Sequence, residues 1–371
     1  MSADAEAERA EARRAFAACA GLADADWEAL ASDASPRRYF RLRRPGAPSV
    51  LLMDAPPEED LAAYVQVAGA LRAAGLSAPA VLAEDRAKGF LLIQDFGDAT
   101  YTRLLARAEA DSDPETERRL YALAVDALVR LHKAEEAARL DRPRYDADLL
   151  VEEAALLADW ALPVLLDRPC GAAAAAEWRT LWRSLLDRAP ATPDALVLRD
   201  FHVDNLMRLE GEPGVRACGL LDFQDAVIGP RAYDVISLLE DARRDLSEGL
   251  RQELLARYRA GMGAAMEPAE GFERWAALLA AQRHAKVIGI FARLARRDGK
   301  PAYLRHIPRV VGLLRRRLAA HGFLAPVSDW IAAHAPDLPA LADAPPPSQP
   351  PSQPPSQPAS PGPTQEPAVQ E

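Results

Sequence analysis

The chain has 371 residues, 49% hydrophobic and 27% charged, with 45 Lys and Arg against 55 Asp and Glu and a formal charge of -10. That length suits two packed lobes rather than one small core, and the acidic balance argues against a general nucleic-acid binder, which needs a net basic surface. Three unpatterned cysteines (Cys19, Cys170, Cys218) make neither a disulfide framework nor a four-ligand zinc site, and no apolar run can span a bilayer, so the expectation is a soluble cytoplasmic protein without a membrane partner.

Residues 5 to 31 read as an alanine-rich helix with Leu22, Trp27 and Leu30 as apolar points. Tyr39, Phe40 and Leu42 then lie in a strand-like run. Pro45, Gly46 and Pro48 turn the chain into a second strand at Val50 to Met53. Glu58 to Ala74 carries apolar residues at helical spacing, and Gly75 is placed to end that helix. After Pro79, Ala80 to Leu82 and Phe90 to Ile93 read as two further strands turned by Lys88 and Gly89. From Ala99 onward the chain is mostly helical, with periodic segments over 114 to 138, 147 to 167, 173 to 188, 231 to 262, 269 to 297 and 301 to 320. One polar insert, Leu196 to Asp225, interrupts them. From Pro345 a Pro-Ser-Gln repeat has nothing to anchor a core and reads as polyproline II or disorder. The layout is α+β: a small sheet lobe over 1 to 97, a crossover near Gln94 to Gly97, a helical lobe over 98 to 335, and a disordered tail over 340 to 371.

The insert holds Asp200 in LRDFHVDN, Asn205 five residues later, and Asp222 directly after the apolar run of LLDFQDA. Phosphoryl transfer from ATP needs a carboxylate to orient and deprotonate the attacking hydroxyl. It also needs oxygen ligands for the magnesium that neutralises the phosphates. An Asp, an Asn five residues on and an Asp ending a following strand supply those roles in kinase-like enzymes.

These two stretches resemble the catalytic motifs of the aminoglycoside phosphotransferase superfamily, small-molecule relatives of protein kinases. The wider pattern is similar to one branch, the anomeric kinases of N-acetylmuramate and N-acetylglucosamine in cell-wall recycling. It runs through SPRRYFRL, LLMDAPPEED, FLLIQDFGDATY, LRDFHVDNLM, LLDFQDAVIGPRAYDVISLLEDARRD and QRHAKVIGIFARLARRDGKPAYL, most of residues 35 to 320 in order. The resemblance implies a bilobal protein-kinase-like fold with a small antiparallel sheet and a larger helical lobe. It also implies ATP and Mg2+ as cofactors, Asp200 as catalytic base, and Asn205 and Asp222 as magnesium ligands.

Two departures stand out. Protein kinases grip the α and β phosphates with a strand lysine paired to a helix glutamate. Here no lysine precedes Lys88, and Tyr64 falls near the glutamate position. Losing both partners leaves no unpaired buried charge, and the nearest substitutes are Arg37 and Arg38, with backbone N–H groups around Ser35; a solvated strand edge fits these arginines equally well. Leu198 stands where the superfamily more often has histidine, which puts local rigidity in question. Adenine is expected between the lobes against Gln94, Asp95 and Phe96, where a strand edge offers a donor and an acceptor.

For the acceptor, Arg283, Lys286, Arg293 and Arg297 recur at helical spacing. That stripe suits an anionic sugar or is simply a solvated face. The resemblance over Tyr145 to Trp160 makes Glu153 a candidate for sugar hydroxyls and Trp160 a stacking wall; His202 touches substrate or packs beneath the loop. Asp234 reads as a brace for the catalytic loop. The expected substrate is a small amino sugar. The rivals are a kinase of an amino alcohol or aminoglycoside on the same fold, and a non-catalytic kinase-like binding protein.

Overall fold

The computed structural model describes residues 3–30, 37–56 and 59–344, so Ser35 and the tail from Pro345 fall outside the described residues. Helix α1 (Ala3–Cys19) leads into strands β1 (Asp26–Ala29), β2 (Arg38–Arg43) and β3 (Val50–Asp54), then helix α2 (Leu61–Ala73) and strands β4 (Val81–Asp85) and β5 (Phe90–Gln94). The five strands form one antiparallel sheet in the order β1-β2-β3-β5-β4.

Period-two alternation divides this sheet into two faces. Leu42, Leu52, Phe90 and Leu92 pack with Ala17 and Leu22 in a small core under α1. Met53, Leu91 and Ile93 join Tyr64, Val67 and Leu71 of α2 in the main core. The helix expected over 5 to 31 therefore stops at Cys19. Gly21 turns the chain at φ 75, and Trp27 becomes part of an edge strand opposite Leu42, its ring 5.8 Å from that of Phe40. Tertiary burial of Leu22 and Trp27 overrides the helix propensity of the alanines.

The second lobe begins with α3 (Tyr101–Ala110), α4 (Pro114–His132), α5 (Glu135–Ala138), α6 (Ala147–Leu156), a π turn (Leu157–Ala161), α7 (Leu162–Leu165) and α8 (Ala172–Asp187). Four short strands follow: β6 (Asp194–Val197), β7 (Leu206–Arg208), β8 (Cys218–Leu220) and β9 (Val227–Pro230), pairing β6 with β9 and β7 with β8. Helices α9 (Ala232–Leu239), α10 (Glu248–Met262), α11 (Ala269–Arg297), α12 (Ile307–Ala320) and α13 (Ala325–His334) complete it. Trp178 and Trp182 of α8 are fully buried, and the Trp330 ring of α13 lies 4.4 Å from that of Trp178. Each such ring contributes on the order of 2–3 kcal/mol by burial.

Two expected helices are interrupted. The segment over 147 to 167 contains the π turn, where Gly289 of α11 approaches so closely that a Cβ there would stand 2.3 Å from the Leu156 carbonyl oxygen. The segment over 231 to 262 splits after Leu239. Glu240 leaves helical register to meet His284 at 2.8 Å, and Ser247 caps α10 through the Leu250 N–H. The β7–β8 hairpin is fastened to the first lobe and the crossover. Leu220 N–H donates to the Ser77 carbonyl (2.8 Å), Ser77 Oγ to that of Arg216 (2.7 Å), and Arg208 N–H to that of Ala99 (2.8 Å). No described helix is long and apolar enough to cross a membrane.

Candidate active site

Strand β6 delivers the chain to Leu198, and α9 then takes hold of it. Asp234, in the first turn of α9 and fully buried, accepts the N–H groups of Leu198 (2.7 Å) and Arg199 (2.9 Å). Burial pushes its carboxyl up to about 7, with the two amides pulling the other way. Ser237 Oγ adds a bond to the Arg199 carbonyl at 3.2 Å. This is the bracing role expected of Asp234, and it supplies the rigidity that Leu198 cannot supply by a side-chain hydrogen bond.

Arg199 takes φ 68 and Asp222 takes φ 56. Left-handed backbone at non-glycine residues costs about 1–3 kcal/mol, and such strain gathers where geometry serves chemistry. Between them, the Asn205 side-chain N–H donates to the Asp200 carbonyl (2.9 Å), and the Asn205 carbonyl accepts the Leu221 N–H (3.0 Å), next to Asp222. The structure thus brings together Asp200, Asn205 and Asp222. Because Asn205 spends its amide N–H on the loop, its Oδ1 is left to accept or to ligate. Asp200 and Asp222 both reach solvent.

Their electrostatics differ. Surrounding protein opposes ionisation of Asp200, but Lys286, then His202, Arg199 and Arg283, hold its carboxyl below the ordinary value. Burial raises Asp222, and the negative charge of Asp200 raises it further, against Gln224 and Arg37. Asp200 is therefore held ionised, whereas the Asp222 carboxylate would be stabilised by a cation beside it. Asn205 and Asp222 give a hard divalent ion two oxygen ligands, which fits magnesium that takes its remaining oxygens from phosphate and water. Among the described residues no cluster of three or more His, Cys, Asp or Glu competes for that role.

Glu153 is placed differently from the expectation. It is 7% exposed, and both carboxylate oxygens are engaged: one by Lys286 Nζ (2.8 Å) and Arg199, the other by the Tyr145 hydroxyl and Gln282. Glu153 anchors two of the cations that surround Asp200 and has no oxygen left over for a sugar. Trp160 sits in the π turn, half-buried against the core. The expected basic stripe of α11 is not one solvated face. Arg283 and Lys286 are buried, Arg283 donating to Ser237 Oγ at 2.9 Å and Lys286 to the Tyr233 hydroxyl at 3.2 Å. Arg297 instead pairs with Asp298 at the helix end.

The start of β2 also separates the two arginines, Arg37 lying just before the strand and Arg38 opening it. Arg37, 6% exposed, pairs with Glu59 and stands 3.6 Å from Asp222. Arg38 lies on the α1 face with Glu6 (2.8 Å) and Asp54 (2.9 Å), which removes it from the phosphate site. An N-lobe ion pair thus exists after all, but Arg37 before β2 and Glu59 before α2 make it. Glu59 went unnoticed within the acidic run PPEED. At the glutamate position Tyr64 packs its ring 4.9 Å from that of Phe223, joining α2 to the Asp222 turn through aromatic contact.

At the crossover Gln94 is tied to Ala80: its N–H donates to the Ala80 carbonyl at 2.9 Å. Asp95 is clamped by Arg41 Nε (2.6 Å), Ser49 Oγ (2.6 Å) and Gly97 N–H (2.8 Å). The Phe96 ring lies over the β7–β8 hairpin, so close to Gly219 that a Cβ there would be 2.9 Å from it.

Known proteins resemble this chain in sequence and in fold. The sequence profile of the phosphotransferase enzyme family (APH) matches residues 26–278. An N-acetylmuramate/N-acetylglucosamine kinase of Pseudomonas aeruginosa is 40% identical over 84% of this chain and 88% of its own. A protein of the same name from Neisseria meningitidis is 36% identical, over 82% and 89%. Among solved structures, a choline/ethanolamine kinase family protein from Mesorhizobium loti superposes with a TM-score of 0.55 at 18% identity, covering 87% of this chain and 98% of the other. The gentamicin complex of APH(2")-IIa gives 0.52 at 14%, covering 84% and 97%. With a sequence profile matched over residues 26–278 and relatives up to 40% identical over most of its length, the chain belongs to the phosphotransferase enzyme family.

Proposed function

We propose that this protein is an ATP-dependent kinase that transfers the γ-phosphate to the anomeric hydroxyl of an N-acetylated amino sugar, N-acetylmuramate or N-acetylglucosamine, in peptidoglycan recycling. ATP dependence puts the reaction in the cytoplasm. The carrying observation is an Asp200 carboxylate held ionised by buried cations, on a loop that Asn205 ties from the Asp200 backbone carbonyl to the Leu221 N–H, next to Asp222. The names of relatives up to 40% identical support the choice of acceptor.

In this reading the adenine lies by Gln94 and Phe96, and Arg37 faces the phosphates from the sheet lobe. Magnesium, held by Asn205 and Asp222, supplies the positive charge that neutralises the phosphate oxygens. Asp200 orients the anomeric hydroxyl and takes its proton as the oxygen bonds to the γ-phosphorus and the bond from that phosphorus to the bridging oxygen breaks, releasing ADP, a contribution of roughly 10²–10⁴ in rate. An anomeric hydroxyl is more acidic than an ordinary alcohol, so a carboxylate of low basicity suffices. The engaged state of Glu153 leaves acceptor recognition to other groups near the loop.

The test is a substrate panel with purified protein, ATP and magnesium: N-acetylmuramate, N-acetylglucosamine, choline, ethanolamine and kanamycin. Phosphorus NMR of the products separates an acid-labile anomeric phosphate from an ordinary phosphomonoester. Turnover of both sugars to the anomeric phosphate is expected. Turnover confined to an amino alcohol or an aminoglycoside defeats the proposal, and no turnover with any acceptor favours a binding protein.

A further inference from the structure

Five side chains around the catalytic loop have buried polar atoms with no hydrogen-bond partner in the protein: Arg199 (Nε), Gln224 (Oε1), Arg283 (Nε and Nη1), His202 (Nδ1) and Asp241 (Oδ2). The last three residues are 3%, 5% and 2% exposed. Orphaned buried polar atoms are rare, because each forfeits its hydration for nothing, and a cluster of them beside a reactive group points to a ligand that completes them.

Short contacts tie Arg283, His202 and Asp241 to the loop. Arg283 reaches Ser237 Oγ at 2.9 Å, which in turn reaches the Arg199 carbonyl, one residue before Asp200. His202 is two residues after Asp200 and donates its N–H to the Asp200 carbonyl at 3.1 Å. Asp241 follows α9 by two residues. Its Oδ1 accepts the Arg243 N–H at 3.0 Å, and the Arg243 guanidinium crosses to Asp204 of the loop at 2.7 Å. One oxygen of Asp241 is thereby fixed and the other is left over. Arg243, Asp241, Asp200 and Arg283 all act electrostatically on the buried His202. Of these residues, Asp241 also lines a cavity of about 470 Å³ with Leu239, Glu240, Arg244 and Arg317, a volume within the range of small-molecule sites.

Resting on the kinase reading above, we infer that Asp241, Arg283 and His202 form the acceptor subsite. Asp241 Oδ2 accepts a hydroxyl of the sugar ring, and Arg283 donates to an acceptor oxygen of the same molecule. A carboxylate beside a guanidinium suits a polyhydroxylated, N-acylated ring, which offers hydroxyl donors and a carbonyl acceptor together. Asp241 thus takes over the sugar-recognition task for which Glu153 has no free oxygen.

The experiment compares wild type with Asp241→Asn, which keeps shape and the cap on Arg243 N–H but loses the charge. A bond from a neutral donor to a buried carboxylate implies a rise in KM for N-acetylglucosamine of about ten- to a hundredfold, with KM for ATP unchanged. Monodeoxy analogues lacking the 3-, 4- or 6-hydroxyl complete the cycle. At one position wild type loses affinity on deoxygenation and Asp241→Asn does not, a coupling that a merely structural role would not produce. Wild-type turnover of the sugars with an unchanged sugar KM in the variant overturns the subsite alone, as does additive loss at every deoxy position. A wild-type enzyme that leaves both sugars untouched overturns the kinase reading and the subsite with it.

Discussion

Two clusters in this molecule bury a carboxylate among arginines, and they have opposite outcomes. Behind the sheet, Asp54 receives Arg9 (2.6 Å), Arg13 (2.5 Å) and Arg38 (2.9 Å), and the arginines spend their remaining donors on Glu6, Lys88 and Ala55. That knot is closed and holds α1 on the sheet. Below the cleft, Glu153 anchors Lys286 and Arg199 in the same way, but the cations behind the loop act on Asp200, and Arg283, His202 and Asp241 keep unpaired atoms. Saturation marks a structural ion cluster; polar capacity left over marks a site that expects a ligand.

The strongest way to break this contrast is to remove the exposed carboxylate of the open cluster. Asp200→Asn should lower turnover by about 10²–10⁴ while leaving the melting temperature near that of wild type. Asp222→Ala should be as severe. Steady-state kinetics with thermal melts decide it, and a variant keeping a tenth of wild-type turnover contradicts the base assignment.

Next in size comes the brace. Asp234→Ala leaves two buried amides without a partner, at about 1–3 kcal/mol each, so unfolding should shift by roughly 2–6 kcal/mol and activity should collapse with it. Linkage sharpens the point. The folded carboxyl lies at about 7, above its unfolded value near 4. Its contribution is therefore full below about pH 4 and is lost as the pH rises through 7. Between those limits, the stability advantage of wild type over Asp234→Asn should shrink with rising pH by up to about 1.4 kcal/mol per unit. Denaturant titrations at pH 5 and pH 7.5 measure it, and a constant difference would show that Asp234 is ionised throughout.

The smallest expected effect compares two adjacent arginines. Arg37→Ala should raise KM for ATP about tenfold through loss of a charge-assisted contact, whereas Arg38→Ala should leave it within about twofold and loosen α1 instead. Equal effects in the two variants would contradict their assignment to opposite sheet faces.

Much of the site was legible because it is local. Asp200, Asn205 and Asp222 lie within one insert, and the apolar runs around them mark the strands that hold them. Asp234 was readable for the same reason, as a carboxylate at a helix start. Glu153 was misread because a lone glutamate on a helix says nothing of the four groups that converge on it from β6 onward, α11 and Tyr145. Arg38 was misread because pairing it with Arg37 ignored that the strand opens between them. Glu59 and Asp241 were passed over, the first in an acidic run and the second in a segment of continuous helical periodicity that breaks only when Glu240 is drawn to His284 and Arg317.

The layout of a small sheet followed by a helical region, and the local spacing of the candidate loop, follow from this sequence, since periodicity, turn residues and motif spacing are properties of neighbours along the chain; β1, hidden in an expected helix, did not. Which cations surround Asp200, which arginine enters the cleft and which polar atoms stay unpaired were decided only in three dimensions. Those features depend on burial and on contacts between residues tens to hundreds of positions apart, and a side chain's chemistry is set by what packs around it.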